Sequence, residues 1–158
     1  MAASLESLRS LTVQVAGTSA PRSLERHVDA LRNYVTAEEP ELVNYSFDGS
    51  CTLTIRNVPI KGLCPHHLLP FRGVATVVLY LQNSTAGLSK IVQIIQGTMR
   101  TPMLQEEATI TLARRLCEFI KARKVQVTLV LQHSCVSRKD GMEDIWFESA
   151  ATWPQEDL

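Results

Sequence analysis

The stretch CPHHLLPF, residues 64–71, combines one thiol, two imidazoles and two prolines. Cys64 and His67 are three residues apart, so a tight turn or one helical turn would bring both side chains to the same side and direct His66 elsewhere. Cysteine sulfur and histidine nitrogen are the ligands that zinc prefers. A further cysteine, Cys135, follows far along the chain. We therefore expect zinc bound by Cys64, His67 and Cys135, with a fourth position open for water. The alternative for the same residue types is a set of buried cysteines and hydrogen-bonded histidines without a metal.

Periodic patterns of apolar residues on both sides of this stretch predict strands and helices. The predicted strands cover residues 51–55, 71–81, 125–131 and about 144–152. Two helical patterns, 88–99 and 101–120, lie between the second and third strands. This order predicts an α+β domain, with an antiparallel four-stranded sheet and two long helices on one face.

Two local features refine these elements. The second helix is expected to begin with Thr101 as N-cap and Pro102 at its first position, and to bury Leu104. The alternation of the third strand continues through His133 and Cys135, which would place both side chains on one face of that strand.

The composition narrows the class of protein. The chain of 158 residues has 16 basic and 16 acidic residues, so we expect neither nucleic acid nor a membrane surface as its partner. Its longest apolar run is too short to span a bilayer. Glu6 interrupts the apolar segment that an export signal needs, and four cysteines fit a reducing compartment. The predicted location is cytoplasmic.

The stretch at residues 64–71 resembles the Cys-Glu-His-His-Leu-Val-Pro-Phe segment of the GTP cyclohydrolase I family. Three further motifs resemble that family in the same order: GLSK at 87–90, QE at 105–106 and HSC at 133–135. Together they span roughly residues 60–135, about half of the chain. The order of strands and helices also agrees with the family's tunnelling fold.

The resemblance implies roles for the metal-binding and proton-transfer residues. Cys64, His67 and Cys135 would hold a catalytic zinc ion. His66 and His133 would be the proton-transfer histidines.

It also implies contacts with the substrate. Glu106, helped by Gln105, would accept hydrogen bonds from the guanine N1–H and exocyclic amine. Ser89 and Lys90 would face the phosphates. Arg138 and Lys139 would add positive charge, since Lys139 stands where the family has an arginine.

The implied reaction is a zinc-dependent hydrolysis that opens the imidazole ring of GTP, releases formate and gives 7,8-dihydroneopterin triphosphate, a step of pterin and folate biosynthesis. Family members assemble into rings, so a homo-oligomer is expected. Pro65 replaces a family glutamate, and Gln93 replaces an arginine used on the triphosphate. Two alternatives follow: the same chemistry on a guanine compound with fewer phosphates, or a non-catalytic module that binds a purine or pterin and keeps a structural zinc.

These assignments divide the chain into three parts. Residues 1–45 are predicted as an N-terminal helical segment, in which Ser23 is typical of a helix N-cap. Residues 46–153 would form the tunnelling-fold catalytic domain. Residues 154–158 would be a tail.

Overall fold

The computed structural model describes residues 25–26, 28–29, 41 and 43–154. The chain divides into two units, Met1–Ala37 and Glu38–Leu158. The four described residues of the first unit are helical. The remainder of the predicted N-terminal helix lies outside the described residues, as does the tail after Pro154, and the predicted domain boundaries stay a prediction.

A four-stranded antiparallel sheet forms the second unit together with its helices. The strands are β1 (Asn44–Leu63), β2 (Pro70–Ala86), β3 (Lys124–His133) and β4 (Phe147–Trp153). They lie side by side in chain order, and each neighbouring pair is antiparallel. The helices are α1 (Leu88–Thr98), α2 (Gln105–Ile120) and the single turn α3 (Ser134–Ser137). The predicted α+β class and four-stranded antiparallel sheet are confirmed.

The core lies between one face of the sheet and the two longer helices. Side chains alternate between the two faces of a strand, so residues of one parity in β2 and β3 are buried together. These residues are Ala75, Val77, Leu79, Leu81, Val125, Val127, Leu129 and Leu131. The helices add buried residues at three- and four-residue spacing: Ile91, Ile94 and Ile95 from α1, and Ala108, Leu112, Leu116 and Ile120 from α2.

Two of the strands are longer than the sequence pattern predicted. β1 continues through Pro59, which pairs with Val74, and β2 continues to Ala86. Proline is tolerated in β1 because this strand lies at the edge of the described sheet, where a missing N–H need not break the ladder. Within the described ranges, no helix is long and apolar enough to cross a membrane.

The predicted start of α2 was wrong. The helix begins at Gln105, and Leu104 precedes it in an extended conformation, with its carbonyl accepting the first helical hydrogen bond from the Ala108 N–H at 2.8 Å. Leu104 is 41% exposed and is not part of the core. The Thr101-Pro102 signal is a local preference, whereas the side chain of Gln105 bonds to β3 and β4, and tertiary contacts of this kind override local propensity.

The predicted strand position of Cys135 was also wrong. β3 ends at His133, and the chain then turns through α3, which contains Cys135. The two side chains therefore approach the same region from different elements and not from one strand face.

Leu112 within α2 and Leu104 just before it give a matched test of the core. We expect Leu112→Ala to lower the free energy of unfolding by about 2–5 kcal/mol, because Leu112 is fully buried and its truncation leaves a cavity. Leu104→Ala should lower it by less than about 1 kcal/mol, since much of that side chain is already in water. Urea denaturation followed by circular dichroism measures both, and equal losses would contradict the observed difference in burial.

Candidate active site

A tight turn between β1 and β2 carries the first cysteine of the site. The Cys64 N–H donates to the Leu69 carbonyl at 2.9 Å, and the Leu68 N–H donates to the Cys64 carbonyl at 2.8 Å. The turn leaves Cys64 only 7% exposed, whereas His66 and His67 lie at the surface.

The end of β1 depends on a close approach that only glycine permits. A Cβ atom at Gly62 would collide with the ring of Phe71 and would lie 2.5 Å from the backbone oxygen of Met99. Gly62 pairs with Phe71 across β1 and β2, and Phe71 pairs with His133 across β2 and β3. The glycine therefore allows both the ring of Phe71 and the backbone oxygen of Met99 to approach the end of β1 closely.

Cys64, His133 and Cys135 form a compact group of potential metal ligands. One ligand atom from each residue lies within 4.8 Å of the others. A tetrahedral zinc site has Zn–S distances of about 2.3 Å and Zn–N distances of about 2.0 Å, which separates ligand atoms by roughly 3.5–3.8 Å. Two thiols and one imidazole at this spacing fit a zinc ion in both chemistry and size. His67 is not a member of this group.

His133 is held on three sides. The centroid of its ring lies 5.4 Å from that of Phe71 and 5.7 Å from that of Phe147. Its Nε2 atom lies 3.0 Å from Oε1 of Gln105. One strand on each side of β3 and the first residue of α2 therefore fix the orientation of the imidazole.

Burial acts on the ionisable groups of this region. Burial lowers the pKa of His133 below its usual value, while the nearby Glu106 carboxylate acts in the opposite direction. Burial also raises the pKa of the Cys135 thiol, and the adjacent Cys64 thiol adds to this increase, with Lys139 opposing it. Without a bound cation, the site favours a neutral imidazole and a protonated Cys135.

Gln105 is buried, and its carboxamide is bonded to protein groups at both ends. Its Nε2 donates to the Phe147 carbonyl at 3.0 Å and to Ser149 Oγ at 3.1 Å. Its Oε1 faces His133. Nε2 also lies 3.5 Å from the Leu129 carbonyl. The predicted guanine contact of Gln105 would have to compete with these four partners.

The side chain of Glu106 is exposed, unlike that of the preceding Gln105. Glu106 lies in the first turn of α2, close enough to His133 to affect the pKa of the imidazole. Its carboxylate is therefore available to a ligand beside the histidine.

The predicted phosphate residues lie in two places. Ser89 and Lys90 lie in the first turn of α1. Met99, which follows this helix, packs against Gly62 near the cysteine turn, and Lys90 precedes Met99 by about 14 Å along the helix axis. Ser89 and Lys90 thus lie at the other end of α1 from the residue that packs beside Gly62.

Arg138 and Lys139 follow α3 and are exposed, and the charge of Lys139 acts to lower the pKa of the Cys135 thiol. The loop that they begin is tied to the sheet through Gln132. The side chain of Gln132 accepts hydrogen bonds from the Arg72 guanidinium at 3.2 Å and donates to the Glu143 carbonyl.

Sequence reasoning missed the residues that support His133. Phe147 and Ser149 lie on the helix-facing side of β4, and Thr109 is buried on α2. The sequence signal that could have identified them is the hydroxyl of Ser149 on an otherwise apolar face of β4. This face consists of the alternating residues Phe147, Ser149, Ala151 and Trp153. A polar residue in such a position needs a buried partner.

Comparison with known proteins identifies the family to which this chain is similar. The model of the family described as GTP cyclohydrolase I matches residues 12–146. A GTP cyclohydrolase 1 from Carboxydothermus hydrogenoformans is 31% identical over 110 residues, which cover 69% of this chain and 52% of the relative. A GTP cyclohydrolase 1 from Listeria monocytogenes is 37% identical over 84 residues, covering 52% and 44%, respectively.

The chain spans about half the length of these two curated relatives. The crystal structure of the archaeosine synthase QueF-Like in the apo form has a TM-score of 0.49 and 14% identity, covering 67% of this chain and 94% of that chain. At that level the likeness supports no conclusion about function. The family match extends over most of the chain, including the cysteine turn, both helices and the His133–Cys135 segment, and the chain belongs to the GTP cyclohydrolase I family.

Proposed function

We propose that this protein is a zinc-dependent hydrolase that opens the imidazole ring of GTP, releases formate and gives 7,8-dihydroneopterin triphosphate. The observation that carries the proposal is the convergence of Cys64, His133 and Cys135, with the exposed Glu106 carboxylate beside them, in a member of this family. A cytoplasmic location remains part of the proposal.

The proposed metal ligands are Cys64, Cys135 and His67. The two thiols already lie close together. His67 lies on the same turn as Cys64 with an exposed side chain, and it would have to turn towards the thiols to complete the ligand set. His133 is the competing imidazole, but its ring is already fixed by two phenylalanines and Gln105, which suits a group that must hold a constant position while protons move.

A bound zinc ion would supply Lewis acidity, which makes water nucleophilic near neutral pH. His133 and His66 would then move protons to the purine nitrogens as the bonds to C8 break. A neutral imidazole can accept a proton and return it in a later step, and the burial that lowers the pKa of His133 favours this form. Two proton carriers suit a reaction with two hydrolytic steps, ring opening and release of formate.

Recognition of the base is assigned to Glu106. A carboxylate has two acceptor oxygens and can receive hydrogen bonds from both the guanine N1–H and the exocyclic amine. Adenine has no donor at N1 and would leave one oxygen without a partner, so the carboxylate selects guanine.

The positions of the proposed phosphate residues support a site shared between copies of the chain. Ser89 and Lys90 lie at the far end of α1 from Met99, which packs beside the cysteine turn. We therefore propose a homo-oligomer in which Lys90 of one subunit serves the site of a neighbour. Arg138 and Lys139 would contribute from the subunit that holds the metal.

The first prediction concerns zinc. The isolated protein should contain about one zinc per chain, and Cys64→Ser, Cys135→Ser and His67→Ala should each lose most of it. His133→Ala should keep zinc and lose roughly two to four decades of formate release, which is the usual contribution of one acid–base residue. Zinc is measured by mass spectrometry of the purified variants.

Cys51→Ser is the matched control for the zinc measurement, because Cys51 is an exposed cysteine outside the metal-ligand group. It should keep full zinc and full activity. If His133→Ala is metal-free while His67→Ala retains zinc, the two imidazoles exchange roles.

The second prediction concerns the base. Glu106→Gln should weaken selection of guanine over adenine nucleotides tenfold or more, because an amide has one acceptor oxygen and adds a donor facing donors. Each unpaired group costs about 1–3 kcal/mol. Glu107→Gln is the control, since Glu107 also lies exposed in the first turn of α2. Equal selectivity in the two variants would remove Glu106 from the site.

The third prediction tests GTP as the substrate. Formate release per zinc should be faster with GTP than with GMP or guanosine. Lys90→Ala should slow formate release from GTP more than from guanosine, because guanosine has no phosphate. Gln93→Arg should increase the rate of formate release from GTP more than from GMP, because it supplies a guanidinium group that binds phosphate bidentately.

If the unmodified protein turns over GMP or guanosine as fast as GTP, the substrate is a guanine compound with fewer phosphates. The exposed Gln93, in the place of the family arginine, is the observation that favours this second candidate. Absence of formate with all three compounds, despite bound zinc, would favour the non-catalytic binding module.

A further inference from the structure

A chain of buried polar groups runs between α2 and β4 and ends at His133. The Thr109 hydroxyl donates to the backbone carbonyl of Gln105 at 2.7 Å and also lies 2.7 Å from Ser149 Oγ. The side chain of Gln105 bonds to Ser149 Oγ and to the Phe147 carbonyl. Gln105 and Thr109 are only 9% and 1% exposed, respectively, so little water competes for these bonds.

The direction of each bond follows from the carbonyl groups, which can only accept. The Phe147 carbonyl requires the amide nitrogen of Gln105 to face it. The reversed amide would set Oε1 against this carbonyl, leaving two acceptors without a proton between them. Oε1 therefore faces His133, and since Oε1 can only accept, the proton lies on Nε2 of His133.

The two hydroxyl groups are consistent with this direction. Thr109 gives its only proton to the Gln105 carbonyl, so the Ser149 hydroxyl donates to Thr109 and its oxygen accepts from the amide of Gln105. Both hydroxyl protons and the imidazole proton then have one place each. Gln105 is oriented by β4 and by its own helix, independently of the histidine.

We propose that Gln105 is a positioning residue, which fixes His133 as the Nε2–H tautomer and leaves Nδ1 as the nitrogen with a free lone pair. This role differs from the guanine contact that the family resemblance implies for Gln105. Both ends of its carboxamide are occupied by protein partners, and the neighbouring Glu106 is the exposed residue. The kinetic consequence depends on the proposed hydrolase activity, whereas the tautomer does not.

The direct test is ¹⁵N NMR of the zinc-loaded protein labelled at histidine, at about pH 8, where an ordinary histidine is neutral. The His133 signals are identified by comparison with H133N. We expect Nε2 to carry the proton in the unmodified protein. Detection of the Nδ1–H tautomer would overturn the proposal, whether or not the protein hydrolyses GTP.

Gln105→Met tests the cause, because methionine has a similar length and lacks the amide. His133 should then show a mixture of tautomers, and kcat should fall about 10–100-fold, the usual effect of losing a group that orients a site residue. The KM for the substrate should change by less than about threefold. A large rise in KM with the His133 tautomer unchanged would show that Gln105 binds the base, and would overturn the proposal.

Gln96→Met is the matched control, since Gln96 is also a helical glutamine whose amide donates to a carbonyl, that of Pro59. It should leave the His133 tautomer unchanged and kcat within about twofold. If Gln105→Met does not fold, Ser149→Ala removes one of the two main acceptors of the amide and should still increase the minor tautomer. A tautomer as fixed in Ser149→Ala as in the unmodified protein, together with unchanged kcat, would also contradict the proposal.

Discussion

The hydrogen bond between Gln105 and His133 connects α2 to the sheet beside the potential metal ligands Cys64 and Cys135. Gln105 is the first residue of α2, and its amide also bonds to the backbone of β4. The bond can form only if α2 begins at this residue and if β4 pairs with β3 in the observed register. The orientation of one imidazole thus depends on two strands, one helix start and a buried carboxamide.

Much of the fold was predictable because burial imposes a period on the sequence. Val125, Val127, Leu129 and Leu131 alternate along β3, and this alternation was sufficient to predict the strand. The ends of the elements were not predictable in the same way. Leu104 lies two residues after Pro102 and fits the apolar stripe of α2, yet it precedes the helix, because the amide of the next residue is bonded to the sheet.

The candidate site was partly predictable from residue type and spacing. Cys64, Cys135 and His133 were identified from the sequence, and the structure brings them together. The sequence placed Cys135 on the strand of His133, since the parity of β3 continues through it, but the chain turns into α3 first. Phe71 and Phe147 were not identified as neighbours of the imidazole, because cross-strand pairing depends on register, which these short patterns do not specify. The position of His67 outside the group was not predictable, because a spacing of three residues does not fix the direction of a side chain in a turn.

Gln105 and Glu106 are consecutive residues, with one side chain buried against the imidazole and the other exposed beside it. If Glu106 binds a purine, as proposed, any displacement of the first turn of α2 that a poorly fitting base imposes would also move the anchor of His133. An incorrect base would then bind with lower affinity and would also be turned over more slowly. Discrimination of this second kind persists at saturating substrate, where differences in affinity no longer help an enzyme to choose.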